Sequence, residues 1–137
     1  MKSDIDIKDD VYKVVNKSPL HKAVNGVLKK TLRPKDSDKE DIVISILANE
    51  TKQAQMAYVN VNVYVPDEDV KGQYEEATVR LRQLCQLSFD LFLNVCDKDF
   101  RLTIADKNYQ CGQRVLDVPE AHCHVINNKL LYQIINE

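Results

Sequence analysis

The sequence predicts an α+β fold in one domain spanning residues 1–137: an antiparallel β-sheet packed against one long helix, with a short N-terminal helix. Three observations carry that expectation. From Ala57 to Val65 apolar residues alternate strictly with polar ones over nine positions. From Gln73 to Cys96 apolar residues recur at spacings of three and four, with no glycine or proline between them. At 137 residues and 44% hydrophobic content, the chain has single-domain length and enough apolar surface to fold without a disulfide or metal staple.

The elements follow in order. Ile7, Val11, Val14 and Val15 form one face of a helix over Asp6–Lys17, with Asp9 and Asp10 near its positive N-terminal end. Ser18-Pro19 interrupts it, because a residue before proline avoids the helical region. Leu20, Val24 and Val27 extend the apolar face until Gly26 ends it. The short segment Val27–Leu32 stops at Pro34, and Lys35–Asp41 is wholly polar and reads as an exposed loop. Ile42–Leu47 is apolar and β-branched on both faces, the pattern of a central strand. Asn49–Lys52 connects it to the alternating strand, in which Ala57, Val59, Val61, Val63 and Val65 face a core and Tyr58, Asn60, Asn62 and Tyr64 face the other way.

Pro66 ends that strand, and Asp67–Gly72 reads as a loop. In the helix expected over Gln73–Cys96, the second half is apolar nearly all round, so burial on more than one side is expected. Phe100–Ile104 alternates as a strand does, and Leu116, Val118 and Pro119 close a variable connection. Ala121–Asn136 fits either a helix or a long strand with His122, His124, Ile126, Asn128, Leu130, Tyr132 and Ile134 on one face.

Composition excludes several functions. With 19 Lys+Arg against 21 Asp+Glu, and a formal charge of -2, the chain lacks the basic excess that grips nucleic acid. No apolar run reaches the ~18 residues of a membrane span, and MKSDIDIKDD has no signal-peptide core. Neither direct nucleic-acid binding nor membrane binding is expected. Three glycines form no phosphate-cradling fingerprint, no serine sits in a Gly-x-Ser-x-Gly turn, and no catalytic residue or cofactor is expected. Cys85, Cys96, Cys111 and Cys123 form no C-x-x-C pair and read as small hydrophobes in a reducing compartment.

Four features remain as candidates. Cys111, His122, Cys123 and His124 carry metal-ligand residue types, but only the two histidines would share a strand face, which leaves a zinc site short of ligands. The pairs Asp9-Asp10, Glu40-Asp41 and Glu75-Glu76, with the triplet Asp67–Asp69, fall in loops and first helical turns, where carboxylates favour water and helix dipoles. The basic run Lys29–Lys35, including Arg33 and Lys35, belongs to a segment (residues 1–41) of net +2, against -4 for the rest. The Tyr58/Asn60/Asn62/Tyr64 face is polar but uncharged, a composition suited to a partly covered surface, either a protein interface or a face under the chain's own helix.

The order of elements resembles a known family. A short N-terminal helix leads to V-N-G-V at Val24–Val27, R-P at Arg33-Pro34 and S-D-K-E-D-I-V-I at Ser37–Ile44. V-N-V-N-V-Y-V-P at Val59–Pro66 then precedes a long helix and H-V-I-N at His124–Asn127. This is similar to the tail-terminator, or tail-completion, proteins of long-tailed bacteriophages and prophages. The resemblance implies a non-enzymatic structural protein that forms a homo-oligomeric ring, commonly a hexamer, capping the tail tube where it joins the head. Its partners would be further copies, the tail-tube protein and head-tail connector proteins, in the host cytoplasm during assembly and then in the virion tail. A head-tail joining protein of the same virion region, or a small metal-binding or enzymatic domain using Cys111, His122, Cys123 and His124, are the alternative expectations.

Overall fold

The computed structural model describes residues 1–51 and 55–135. Lys52 of the expected connection and Asn136 of the expected C-terminal element lie outside them. Helix α1 (Asp4–Asn16) starts at a capping box: the Ser3 hydroxyl accepts the Asp6 N–H, and the Asp6 carboxylate accepts the Ser3 N–H. Its buried face is Ile7, Val11, Val14 and Val15. Helix α2 (Pro19–Ala23) is capped by Ser18 with Pro19 in the first turn, where a missing N–H costs nothing.

Strand β1 (Leu28–Lys29) pairs in parallel with β2 (Ile42–Glu50). Strand β2 pairs antiparallel with β3 (Met56–Pro66), and β3 pairs antiparallel with β9 (Cys123–Ile134). Between them in sequence lie β4 (Glu68–Val70), β5 (Gln73–Glu75), helix α3 (Thr78–Phe92), β6 (Val95–Cys96), β7 (Phe100–Thr103) and β8 (Gly112–Val118). The far edge of β9 is shared: β8 lies along its first half and β7 along its second, with β6 outside β7. Strands β4 and β5 form a separate hairpin.

The molecule is therefore mainly β, with 40% strand and 27% helix in a curled mixed sheet and three short helices. This corrects the expected antiparallel sheet packed on one long helix, and the reasons are local. Lys71 and Gly72 both have positive φ (54° and 83°), the geometry of a tight hairpin turn, and Asp69 accepts the Gly72 N–H. Residues 73–75 are thereby drawn into β5, and the helix begins only at Thr78. At the other end Ile104 N–H and the Thr103 hydroxyl bond the carbonyls of Phe92 and Leu93, stopping the helix at Phe92. Of its residues, Leu81, Leu84, Ser88 and Phe92 are buried in one stripe, while Val79 and Phe89 are exposed, as is Leu93 just beyond its end, so the helix is not buried all round. The C-terminal element is a strand, and Gly112–Val118 is a further strand where a connection was expected.

The core lies between α1, α2 and α3 on one side and the inner face of the sheet on the other. Val59, Val61 and Val63 of β3 are fully buried there, with Ile126, Leu130 and Tyr132 from β9. Each such side chain contributes about 1.5–3 kcal/mol on burial. Among the described residues no helix is long and apolar enough to cross a membrane.

The stretch expected as an exposed loop contains two buried carboxylates, Glu40 and Asp41. Asp41 accepts from the Val27 N–H at 2.9 Å, Arg33 Nε at 3.0 Å and the Ser37 hydroxyl at 2.5 Å. Glu40 takes a two-pronged bond from Arg80 of α3, at 2.6 and 2.8 Å, and Arg80 also donates to the Ala23 carbonyl. Gly26 lies so close that an added Cβ would collide with Asp41 Oδ1 and the Glu40 carbonyl. Burial pushes the Asp41 carboxyl up, but the bonds from Ser37, Val27 and Arg33 and the Arg33 charge together outweigh it and hold the group below its ordinary 3.8.

Gly26→Ala should cost about 1–3 kcal/mol by overpacking, read as a lower urea midpoint at unchanged slope. Asp41→Asn should cost about 2–3 kcal/mol at neutral pH. A carboxyl with a depressed folded pKa stabilises above its unfolded value and loses that contribution as pH falls through the folded one. The gap between wild type and Asp41→Asn should therefore be full above about pH 5 and shrink below 3.8, as urea titrations from pH 7 to 2.5 would record.

Candidate functional site

Because side chains alternate along a strand, the residues opposite the valine ribbon share the sheet's outer face. Register places Tyr58 beside Leu131, Asn60 beside Lys129, Asn62 beside Asn127 and Tyr64 beside Val125. The helices occupy the valine side, so the tyrosine–asparagine ribbon is not under the chain's own helix. All four of its side chains are half-buried.

Two cations bracket the ribbon. The Arg33 guanidinium sits 4.9 Å from the Tyr64 ring centroid, and Lys129 Nζ sits 4.8 Å from that of Tyr58. Arg33 is held there by Asp41, by the Lys39 carbonyl and by Cys123 Sγ at 3.5 Å. Between the cations, Asn127 Nδ2 donates to Asn62 at 2.7 Å and to Asn60 at 3.2 Å. The ribbon is thus a pre-ordered strip of aromatic and amide groups. An open groove of about 470 Å³, lined by Arg114, Asn127 and Lys129 among others, continues it across β8 and β9. Five of the residues singled out in the sequence, Tyr58, Asn60, Asn62, Tyr64 and Arg33, are brought together here. Lys35 lies exposed in the adjoining loop.

Comparison with known proteins returns no match, either to a protein-family model or to a curated sequence.

The four candidate metal ligands are not brought together. Cys123 and His124 are neighbours on β9 and so point to opposite faces, Cys123 toward Arg33 and His124 inward beside Val65. His122, in the left-handed region at φ 49°, stacks on Tyr74 with ring centroids 3.9 Å apart. Cys111 precedes the other end of β8, whose Gly112 pairs with Lys129.

His124 instead has carboxylates around it. Its Nδ1 lies 2.6 Å from Asp67 Oδ1, and its Nε2 lies 3.6 Å from Glu76 Oε2 and 3.7 Å from Asp117 Oδ1. Among the described residues, Asp67, Asp117 and His124 are the one group of possible metal ligands whose atoms gather closely, within 4.8 Å of one another. The sequence places Asp67 and Glu76 among carboxylates in loops and first helical turns and gives Asp117 no role. The single available signal was the facing register of β8 and β9, which sets Asp117 opposite His124.

A second polar group lies inside the core. Asn128 donates to the Ser88 hydroxyl and the Val61 carbonyl, and accepts from Gln113, which also donates to the Cys85 carbonyl. The network ties β8, β9 and α3 and leaves each buried side-chain polar group with a partner.

Burial raises the thiol pKa of Cys85 and of Cys123, and for Cys123 this outweighs the lowering effect of Arg33. Exposed Cys96 should therefore react first with iodoacetamide at pH 7.5 and Cys123 last, catching up only in denaturant. Mass spectrometry of a labelling time course checks the order.

Proposed function

We propose that the chain is a structural subunit of a ring, of the phage tail-terminator type, and that it docks neighbouring protein through the open tyrosine–asparagine face of its sheet. One observation carries this reading: an ordered, half-buried strip of Tyr58, Asn60, Asn62 and Tyr64, clamped by Arg33 and Lys129, with no helix among the described residues laid over it. Tyrosine supplies large contact area at small entropic cost, the amides supply hydrogen bonds, and arginine and tyrosine are enriched where proteins meet. A sheet face meant only for water would carry lysine, glutamate and threonine instead.

A ring subunit must present two different patches that meet head to tail, and the rotation between copies must close. The uneven charge of the chain supports such a pairing. The open face carries Arg33, Lys129 and Arg114, whereas the β4–β5 hairpin and its flanks carry Glu68, Asp69, Glu75 and Glu76. No acid–base group is needed for this role. The sequence resemblance to tail-terminator proteins at Val24–Val27, Ser37–Ile44 and Val59–Pro66 suggests the tail tube and the head connector as the partners on either side.

Light scattering over a wide concentration range, alone and with tail-tube protein added, tests the assembly. A closed oligomer is expected, and Tyr58→Ala with Tyr64→Ala should return it to monomer while the far-ultraviolet circular dichroism stays unchanged. Hot-spot tyrosines of this kind carry about 2 kcal/mol or more each, so the double variant should lower association at least a hundredfold. A monomer under all conditions, or normal tube length in virions lacking the protein, would overturn the reading.

A further inference from the structure

We propose that the acidic β4–β5 hairpin is an arm that seats in the cationic groove across β8 and β9 of a second copy of the chain, with Glu68 and Glu75 meeting Arg114 and Lys129. This deepens the ring reading and rests on it, because it names the second patch that a head-to-tail contact requires. The hairpin stands out from the body: residues 68–76 are exposed without a break, and β4 and β5 pair only with each other. Its root is nevertheless fixed. The Tyr74 ring stacks on His122 with centroids 3.9 Å apart, and Asp67 lies 2.6 Å from His124. The arm is thus held in one direction before a partner arrives, which spares ordering entropy on docking.

Charge is concentrated in the arm. Residues 67–76 hold five carboxylates and one lysine, a net of -4; the whole chain is -2, so everything else carries +2. Register sets Glu68 directly opposite Glu75, on the same face of the ribbon. Like charges so placed repel, and they weaken a two-stranded ribbon that is barely stable in water to begin with. Among the described residues no lysine or arginine forms an ion pair with either carboxylate. Glu68 accepts no hydrogen bond there, and Glu75 accepts one only from Gln73, at 3.3 Å. Cations supplied by a partner relieve that repulsion.

The groove mirrors the arm in sign. Arg114 of β8 lies opposite Asn127, and Lys129 lies two residues further along β9. The two cations are therefore diagonal neighbours, with Cα atoms about 7–8 Å apart. Both share the outer face with Asn127, which bonds Asn60 and Asn62. Among the described residues neither forms an ion pair; Lys129 rests over the Tyr58 ring, and Arg114 is exposed. Together they line the open groove of about 470 Å³. Two like-charged pairs of opposite sign, each repelling within its own chain, satisfy one another on contact. Because Lys129 also clamps the tyrosine strip, the seat of the arm is continuous with the docking face.

Within one chain arm and groove stay apart. Among the described residues no ion pair links them. The arm leaves the sheet beside Cys123, the register partner of Pro66, whereas Lys129 lies six residues further along β9, about 20 Å at the rise of an antiparallel strand. The contact therefore joins two copies, and its halves are two different patches. Each copy gives its arm to one neighbour and takes an arm from the other, which is the heterologous arrangement that a closed ring needs.

Charge exchange in the full chain, followed by analytical ultracentrifugation, tests this. The arm variant, Glu68→Lys with Glu75→Lys, and the groove variant, Arg114→Glu with Lys129→Glu, should each self-associate roughly a hundredfold or more weakly than wild type. Mixed in equal amounts the two should associate, because each then meets the opposite sign. The arm variant changes exposed positions alone; if the groove variant loses the circular dichroism of the fold, Arg114→Glu on the exposed strand β8 decides in its place. Assembly of wild type should also slow hydrogen–deuterium exchange over residues 68–75. An oligomer that is lost in Tyr58→Ala with Tyr64→Ala but unchanged in the arm variant overturns this proposal and leaves the ring reading standing. So does assembly that abolishes neither variant's defect on mixing, or that leaves exchange in the arm as fast as before. A wild-type monomer at every concentration overturns both.

Discussion

Glu40 and Asp41 are consecutive residues whose side chains leave the backbone in opposite directions, one toward the helices and one toward the outer loop. Arg80 grips Glu40 and reaches on to the end of α2 through the Ala23 carbonyl. Asp41 gathers Val27, Arg33 and Ser37. The main chain around the same two residues sets the sheet: Gly26 donates to the Glu40 carbonyl, Ile42 to the Val27 carbonyl, and Tyr64 to the Asp41 carbonyl. The parallel pairing of β1 with β2, the start of the β2–β3 ladder and the seating of α3 thus converge on one dipeptide. A buried carboxylate with its partners removed costs several kcal/mol, so these contacts stand or fall together. The outer face depends on them as well, because the Arg33 that lies over Tyr64 is held in place by Asp41.

The two sides of the sheet are built by different rules. The inner side is sealed by apolar packing around polar inclusions, of which the Asn128–Ser88–Gln113 network lies deepest under α3. That network is fully satisfied, so it fixes how β8 and β9 sit against α3 instead of leaving a desolvated amide in the core. At the far end, Tyr132 of β9 donates to Asp10 of α1 at 2.6 Å, and burial, with this bond, pushes its phenol far above the ordinary tyrosine range. Lys2 also pairs with Asp10 and ties down the start of the chain. Helices α1 and α3 are therefore each attached to β9 by a specific polar contact, Tyr132–Asp10 and Asn128–Ser88, as well as by apolar area. Among the described residues the outer side has no second layer, and its order comes from side-chain bonds within the sheet surface.

Much of this was legible in the sequence where signals are local. The valine alternation of β3 marks both faces because one face is wholly apolar and buried. The stripe of α1 and the stop at Pro19 read equally directly. The hairpin at residues 68–75 was hidden because Tyr74 and Ala77 happen to continue the helical spacing of Leu81 and Leu84, while the two positive-φ residues that turn the chain lie just upstream. Strand β8 was hidden for a different reason: both of its faces mix polar and apolar residues, Gln113, Val115 and Asp117 on one and Arg114, Leu116 and Val118 on the other. The charged partnerships were beyond reach in principle. Arg80 is forty residues from Glu40, and Asp67 is fifty-seven from His124, so a carboxylate destined for burial looks in the sequence like one destined for water.

The contrast between the two sheet faces bears on how such a molecule can assemble. A second layer over the outer face would complete an ordinary two-sided sandwich, but α3 lies on the inner side, where its Val79 and Phe89, with Leu93 just after it, are exposed. Among the described residues nothing is laid over the outer face, and the proposed ring reading assigns its cover to a neighbouring subunit. Tyrosine rings offer apolar contact area that a protein neighbour can cover, and Asn127 is already bonded to Asn62 at 2.7 Å. A protein partner can stack on the rings and accept from the cations without disturbing either. Because Arg33 and Lys129 are already placed over their tyrosines, the surface loses little side-chain freedom on docking, and that entropy is among the larger costs of association. The same buried dipeptide that organises the sheet therefore also lowers the cost of using its open face.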